Sequence, residues 1–463
     1  MGAVLTYRTR IVSSLAEIGQ SAWDGLLMLQ PDANPFLSYA FLHALHESGS
    51  ASAASGWQPQ FLTLWSDVDE PIQHTGPNGA DGAEQPAQAR HQEQQAGRQE
   101  RERNPEESGI GSNEEAGKQP GRHWRGQGTR LEAAMPLYVK SHSYGEYVFD
   151  WAWADAYRRH GLDYYPKLLS AIPFTPVTGA RLLARDEDAR VALVAALVEI
   201  GDSNAGAHQA KPGRRARQNQ EGGLSSTHVL YPPAAQAKAL EEAGFLLRSG
   251  VQFHWINAGY ADFDAFLASL EHKKRKNIRA ERRKVREAGI TFEHIPGTRA
   301  TGEDWRFFKR CYDHTYAEHH STPYLNLDFF QRIGASMPEN LLLVVASRDG
   351  RPIASSLLVH DDRVLYGRYW GALEYHPCLH FETAYYQPLE FCIQHGIGSF
   401  EGGAQGEHKM ARGFLPQKTW SAHRLAHPSF SDAVERFLAQ ESGGIDAYMD
   451  ELNERNPFKE TGR

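Results

Sequence analysis

The sequence predicts a mixed α/β (α+β) fold built twice in tandem, with largely antiparallel sheets. Three observations carry this. Two long passages present the same signals in the same order. Within each, β-rich runs are joined by turns and then by a helix, as an antiparallel meander entering a β-α-β step requires. Third, the chain has 463 residues, and two stretches are too polar to join a core, which leaves length for roughly two domains. Those stretches are 66–130, where Val68, Ile72, Ile110 and Trp124 are the only strongly apolar side chains, and 203–227. A loop as long as the first is expected to be disordered.

The first passage opens with a strand over residues 4–12, then Pro35-Phe36-Leu37, Phe41-Leu42 and the strand Phe61–Trp65. After the polar insertion come Met135–Val139, an aromatic strand Tyr147–Trp153, and Tyr164-Tyr165-Pro166. The second runs from Pro323-Tyr324-Leu325 through Phe329-Phe330 to strands Leu341–Val345, Ser355–Val359 and Leu365–Trp370, then Tyr385-Tyr386-Gln387. Arg348-Asp349-Gly350 supplies turn chemistry between two of these strands. Residues 383–395 have helix length, Gly396 can end them, and strand Ser399–Glu401 follows. Pairing Pro35 with Pro323 and Tyr164 with Tyr385 makes the two offsets differ by about the length of the insertion. The expected division is 1–228, then 229–430 with a strand Phe245–Trp255 and a charged helix 262–287, then a helical tail in 431–463.

Hydrophobic residues make up 41% and aromatics 11% of the chain, enough to bury cores and to exclude collagen-like, wholly disordered or disulfide-scaffold classes. A net charge of −8 argues against a nucleic-acid coat and a DNA partner. Cys311, Cys378 and Cys392 form no CxxC repeat and suit a reducing compartment. No apolar run reaches the roughly 18–20 residues of a membrane span. The expected location is therefore the cytoplasm. His376, Cys378 and His380, or Cys311 with His314, lack the partners of a metal set, so no metal site is expected. There is no G-x-S-x-G elbow and no H-E-x-x-H.

Three segments carry chemistry. Residues 273–286 are mostly basic, and Arg275, Arg279, Arg282 and Arg286 follow a 4, 3, 4 spacing that stacks guanidinium groups on one helix face. Such a row suits phosphates; the plainer reading is a solvated helix. Glu401-Gly402-Gly403-Ala404-Gln405-Gly406-Glu407-His408-Lys409, continuing to Arg412, follows a strand and gathers ionisable groups among glycines. It could supply a general base (Glu401, Glu407 or His408) and an anion clamp (Lys409, Arg412). The third is Arg368-Tyr369-Trp370-Gly371 with the helix start at His380–Tyr386, whose free N–H groups make an anion seat. Its first-copy counterpart is Asp150-Trp151-Ala152-Trp153 with Tyr165; aromatic stripes are more often core than ligand platform.

The stretches HKKRKNIRAERRKVREAGI, CLHFETAYYQPLEFCIQHGI, FEGGAQGEHKMARGFLPQKTWSAH and FDWAWADAYRRHGLDYYPKLLSAIPFTPVTG resemble a bacterial family of N-acyltransferases. That family is related to the Fem-type peptidoglycan aminoacyl transferases. The resemblance implies a tandem pair of GNAT-like folds, in which a strand pair splays at the donor site and a loop grips the donor's pyrophosphate. Arg368 and Gly371 stand where that loop should begin, but Leu373 departs from the R-x-x-G-x-G/A signature. The implied co-substrate is acyl-CoA (acetyl-CoA), with aminoacyl-tRNA as the alternative; no tightly bound cofactor is implied.

The implied reaction is attack by an acceptor amine on a thioester or ester carbonyl. Glu382 and Glu401 are the candidate bases, Tyr385 a proton donor to the leaving group, and His408 a further acid–base candidate. Lys274, Arg275, Arg279, Arg368, Lys409 and Arg412 would hold phosphates. Asp150, Trp151, Trp153, Tyr165 and Trp370 would shape the acceptor cleft, possible acceptors being cell-wall precursors. The competing class is a non-catalytic module that binds such a precursor or a glycan. A third reading, RNA binding, rests on the basic helix alone.

Overall fold

The computed structural model describes residues 6–67, 128–205, 223–403 and 406–459. Most of the 66–130 insertion and the middle of 203–227 therefore lie outside the described residues. The elements that bracket them belong to one packed unit.

The first half comprises β1 (Arg8–Val12), α1 (Leu15–Ile18), α2 (Gln20–Leu27), α3 (Tyr39–Glu47), β2 (Trp57–Pro59), β3 (Phe61–Asp67), β4 (Thr129–Met135) and β5 (Tyr138–Lys140). It continues with α4 (Trp151–Arg159), β6 (Lys167–Ser170), β7 (Leu183–Ala184), α5 (Glu187–Ser203), β8 (Ser226–Leu230), α6 (Ala234–Glu242) and β9 (Leu246–Ile256). The second half comprises α7 (Phe263–Ser269), α8 (His272–Glu287), β10 (Ile290–Pro296), α9 (Gly302–Glu318), α10 (Leu327–Ser336), β11 (Leu341–Arg348), β12 (Arg351–His360) and β13 (Val364–Ala372). Then follow α11 (Leu379–Phe381), a π-helical turn (Glu382–Tyr386), α12 (Gln387–His395), β14 (Ser399–Glu401), β15 (Leu415–Leu425) and α13 (Pro428–Glu454).

In the second half β10, β11, β12 and β13 form an antiparallel meander, and β14 then adds in parallel to β13. The first half repeats this. Two long strands, bent at Gln60 and at Pro136-Leu137, contribute β3 and β4 to a four-stranded sheet and β2 and β5 to the main one. Proline has no N–H to give a ladder, so the run expected as one strand over Met135–Val139 breaks there. β6 follows antiparallel to β5, and β8 adds in parallel to β6. This is the duplicated GNAT-like mixed sheet that the resemblance implies.

The halves are not separate sheets. β9, the last strand of the first half, lies against β14 of the second, and β15 lies against β8 of the first. β9 and β15 pair with each other about a central Gly250–Thr419 pair. The halves have thus exchanged their final strands within one eleven-stranded sheet. A rotation about that central pair carries His254 onto His423, Glu401 onto His228 and Gln252 onto Ser421. A boundary at 228/229 falls inside β8.

Equivalent helices also meet: Phe41 of α3 and Phe329 of α10 stand edge to face at 5.5 Å. The expected pairing of Tyr164 with Tyr385 does not hold. The strand equivalent to β13 is β6, which aligns Lys167 with Val364. The aromatic run 147–153 is not a strand; α4 begins at Trp151, and Trp153 and Tyr157, one turn apart, are its buried side. The single helix expected over 262–287 is two, broken at Leu270-Glu271. Ser226 and Thr227, assigned to a polar loop, are buried in β8.

One sheet face packs on α3, α9 and α10 around Phe36, Phe308 and Phe330. The other packs on α7 and α12 in the second half and on α5 and α6 in the first. Gly396 ends α12 with φ +68°, as expected. Among the described residues no helix is long and apolar enough to cross a membrane.

Candidate active site

β13 and β14 pair only over Val364–Tyr366 and Ser399–Glu401. β13 then runs on to Ala372 while the chain beyond Glu401 turns away through Gly402-Gly403, so the sheet opens into a wedge. Arg368 and Glu401 lie inside it, 3.3 Å apart and nearly shielded from solvent. The Arg368 guanidinium lies over Phe36 (4.8 Å) from the first half and over Tyr366 (5.1 Å), and its buried Nε has no partner among the described residues. His254 faces Glu401 across the β9–β14 ladder. Burial lowers the His254 pKa against the pull of Glu401, so the ring is neutral at pH 7.

Lys409 is almost fully buried, and its Nζ donates to the Gly403 carbonyl at 3.0 Å. A Cβ on Gly402 would stand 3.2 Å from the Lys409 stem, so glycine lets the lysine enter. Burial, reinforced by Arg368, pushes its pKa down to about 8. The wedge therefore holds two cationic side chains, one carboxylate and one neutral imidazole.

The other residues expected at this end have different roles. Glu382 is buried and accepts three hydrogen bonds from Arg282 (2.9–3.2 Å) and one from Gln387 (2.8 Å). Locked this way it is not a free base. The same contact breaks the expected guanidinium row, because Arg282 also binds Glu390 (2.7 Å) and lies over Phe263. Arg279 pairs with Asp264, and Arg275 points back to the Ala268 carbonyl. Lys274, half-buried, forms no ion pair among the described residues.

Arg412 clamps Glu281 (2.9 Å), donates to the His408 carbonyl and stacks on Phe381 at 3.5 Å, so it too is spent on packing. The Tyr385 hydroxyl lies 3.3 Å from Nε2 of the exposed His408. Burial pushes Tyr385 up to about 12, which keeps its proton in place. Trp370 packs on His380. Gly371 is in β13, and a Cβ there would meet the Cys311 carbonyl at 2.0 Å. It is a close-packing glycine against α9, not part of a phosphate loop.

In the first half the equivalent wedge is filled. Arg181, fully buried, donates to the carbonyls of Leu230 (2.9 Å), Gly179 (2.8 Å) and Val177 (2.6 Å). Asp150 is not open to a ligand either: it is buried against Lys167 and Tyr164. Trp153 packs on His423, Tyr165 bonds Ser143, and only Trp151 is exposed.

Sequence reasoning missed the network around Asp150. Lys167 binds Glu146 and Ser143 at 2.8 Å each, Lys140 approaches Glu146 at 3.9 Å, and His228 meets His423 at 2.7 Å. Burial pushes Lys140 down, and Glu146 up, each to about 7. Polar residues in the inward phase of apolar strands were the available signal. Between the two wedges, over the Gly250–Thr419 pair, lies a cavity of about 240 Å³. Tyr147, Tyr231, Gln252, Trp420 and Ser421 line it, and an Arg248–Glu441 pair (2.7 Å) ties α13 across its edge.

No curated protein sequence matches the chain. Among solved structures, FemX is similar at 10% identity and TM-score 0.46, over 92% of this chain and 99% of that one. A tandem GNAT protein from the clavulanic acid biosynthesis pathway matches at 10% and 0.40, over 91% and 99%. L-PGS from Bacillus licheniformis matches at 11% and 0.42, over 66% and 86%. Likenesses this distant say nothing about ligand or reaction. The FemAB-like family model, described as peptidoglycan biosynthesis/recognition, matches residues 14–75 and 104–460. With most of its length matched, the chain belongs to the FemAB-like family.

Proposed function

We propose that the protein is an N-acyltransferase of cell-wall metabolism. It moves an acyl or aminoacyl group from acyl-CoA or aminoacyl-tRNA to an amine on a cell-wall precursor. The observation that carries this reading is the asymmetry of the two wedges. In the first half Arg181 spans three carbonyls, whereas the second gathers the shielded but chemically different set Arg368, Glu401, His254 and Lys409.

The neutral amine attacks the donor carbonyl, forming a C–N bond as the C–S or C–O bond breaks. Glu401, oriented by Arg368, and the neutral His254 beside it are the groups able to take the amine's proton. Arg368 and Lys409 place positive charge where an oxyanion develops and where a donor phosphate would rest. Glu382 has no part in the chemistry.

A thermal-shift titration with acetyl-CoA and with charged tRNA, followed by transfer assays on muropeptide acceptors, tests this. Stabilisation by one donor, with transfer abolished in Glu401→Gln and Lys409→Met proteins that still fold, is the expected result. The second reading, a non-catalytic binder, is favoured by Gly371 lying in a strand where a phosphate loop would need backbone freedom. Stabilisation by muropeptides with no response to either donor would establish that reading instead.

A further inference from the structure

Where β9 and β15 cross, alternation along the two strands sets Arg248, Gly250 and Gln252 of one and Thr419 and Ser421 of the other on a single face of the sheet. The central cavity of about 240 Å³ lies over them, and Gly250 leaves its floor bare. A Cβ at Gly250 would stand 3.1 Å from Thr419 Oγ1, so even the smallest side chain is crowded there. A glycine inside a strand often marks the close approach of a ligand. Glu441 and Ile445 of α13 close one side, and Tyr147, Phe149 and Tyr231 another. Phe149 is more than half exposed and marks the way in from solvent.

The aromatic wall is formed before any ligand arrives. Tyr147 and Tyr231 are both left-handed, at φ +60° and +57°, a conformation that bulky residues adopt only where their surroundings impose it. The Tyr231 hydroxyl donates to the Tyr147 carbonyl at 2.8 Å and ties the two together. Arg248 donates to both oxygens of Glu441 (2.7 Å each) and to the Phe149 carbonyl (2.7 Å). The two charges cancel, so this pair offers no net attraction to an ammonium, a carboxylate or a phosphate. What remains is a set of groups that donate and accept side by side. Arg248 has used three of its five N–H groups, and each Glu441 oxygen keeps a lone pair. Gln252 has one amide hydrogen left after donating to the Pro176 carbonyl, and Thr419 and Ser421 add hydroxyls. Mixed donors and acceptors beside aromatic surface match a ring with hydroxyls on its edge and C–H groups on its faces. The volume is below the roughly 300–1,000 Å³ of drug-sized ligand pockets, enough for one such ring and too small for a nucleotide.

We propose that the central cavity is a sugar subsite that holds one uncharged pyranose ring of the acceptor. The inference rests on the amine-acceptor reading above and names the part of the acceptor that is gripped away from the reacting amine. The cavity and the second-half wedge share a wall. Gln252 lines the cavity, and its Oε1 lies 3.3 Å from Nε2 of His254. His254 is two residues further along β9, roughly 7 Å by backbone. A ring substituent that carries the amine spans that distance in a few bonds and ends beside Glu401, which faces His254.

Saturation-transfer NMR on the full-length protein, with no donor present, tests this with D-glucose, D-galactose and N-acetyl-D-glucosamine as separate probes. Saturating the protein's aromatic protons should pass signal to the ring protons of at least one of them. Gly250→Val fills the floor with a residue that suits an extended strand and should abolish the transfer. Phe149→Ala, at an exposed position, should weaken binding about threefold or more, the worth of one aromatic contact. It also keeps the test decisive if the valine protein fails to fold. Transfer to none of the three sugars, or transfer undiminished in either folded variant, would overturn the subsite. Sugar binding with no acyl transfer from either donor would sink the transferase reading and leave the subsite standing; acyl transfer with no sugar binding would do the reverse.

Discussion

Removing the Arg282 guanidinium should unfold the protein far more readily than its place on a charged helix suggests. Glu382 is nearly sequestered, its side chain 4% exposed, and Arg282 is its only cationic partner among the described residues. Glu390, the second carboxylate on Arg282, is 26% exposed and can turn to water, so its loss counts for about 1 kcal/mol at most. Stranding Glu382 is the larger effect, and breaking a buried pair from one side costs about 3–5 kcal/mol. Arg282→Met should therefore lose about that much. Glu382→Gln keeps an acceptor for Arg282 and should lose about 1–3 kcal/mol. A double variant, Arg282→Met with Glu382→Leu, removes both charges and should recover most of the deficit. Urea unfolding at pH 7.5, followed by tryptophan fluorescence and far-UV circular dichroism, measures all three. A single Arg282→Met protein within about 1 kcal/mol of wild type, or a double variant no better than the single, would refute the buried-pair reasoning. A folded Glu382→Gln protein that had lost all transfer would return Glu382 to the list of bases.

Other outcomes follow from the same geometry. Arg181→Met strands three buried carbonyls and should cost roughly 3 kcal/mol or more in urea unfolding, with donor affinity in the surviving folded fraction unchanged. Lys409 is charged below about pH 8 and neutral above, so affinity for a phosphate-bearing donor should fall as pH rises through that value. Lys409→Arg should flatten the profile in a calorimetric titration, and a flat wild-type profile would exclude a donor contact. Gly371→Ala should destabilise by about 1–3 kcal/mol or more through collision with the Cys311 carbonyl. Gly443→Ala and Gly444→Ala in α13, where a Cβ meets nothing, should each stabilise by roughly 0.5–1 kcal/mol in thermal melts.

Strands β11 to β14 and the stop at Gly396 were readable because β-rich runs and a left-handed glycine are local signals. The aromatic run before α4 misled because Trp151 and Trp153 alternate as in a strand; the helical spacing of Trp153 and Tyr157 was the better guide. The Arg282–Glu382 pair joins residues a hundred positions apart, and no local pattern announces it. Glu401, Arg368 and Lys409 were legible as a cluster, since a strand end rich in glycine and charge is unusual. His254 and the His228–His423 pair were not: their neighbours are set by which strand crosses to which half, and single-strand patterning carries no trace of that.

Crossing strands also bind the history of the two repeats together. The histidine beside Glu401 is encoded in the first repeat, and the histidine beside His228 in the second. Neither repeat can be discarded, transplanted or expressed by itself with its polar centre whole. A gene cut just after residue 256 would leave the β8 and β14 edges bare, and such edges invite aggregation. The two fragments produced together have a route back to one sheet. Mutational drift in one repeat is thereby judged by the chemistry of the other.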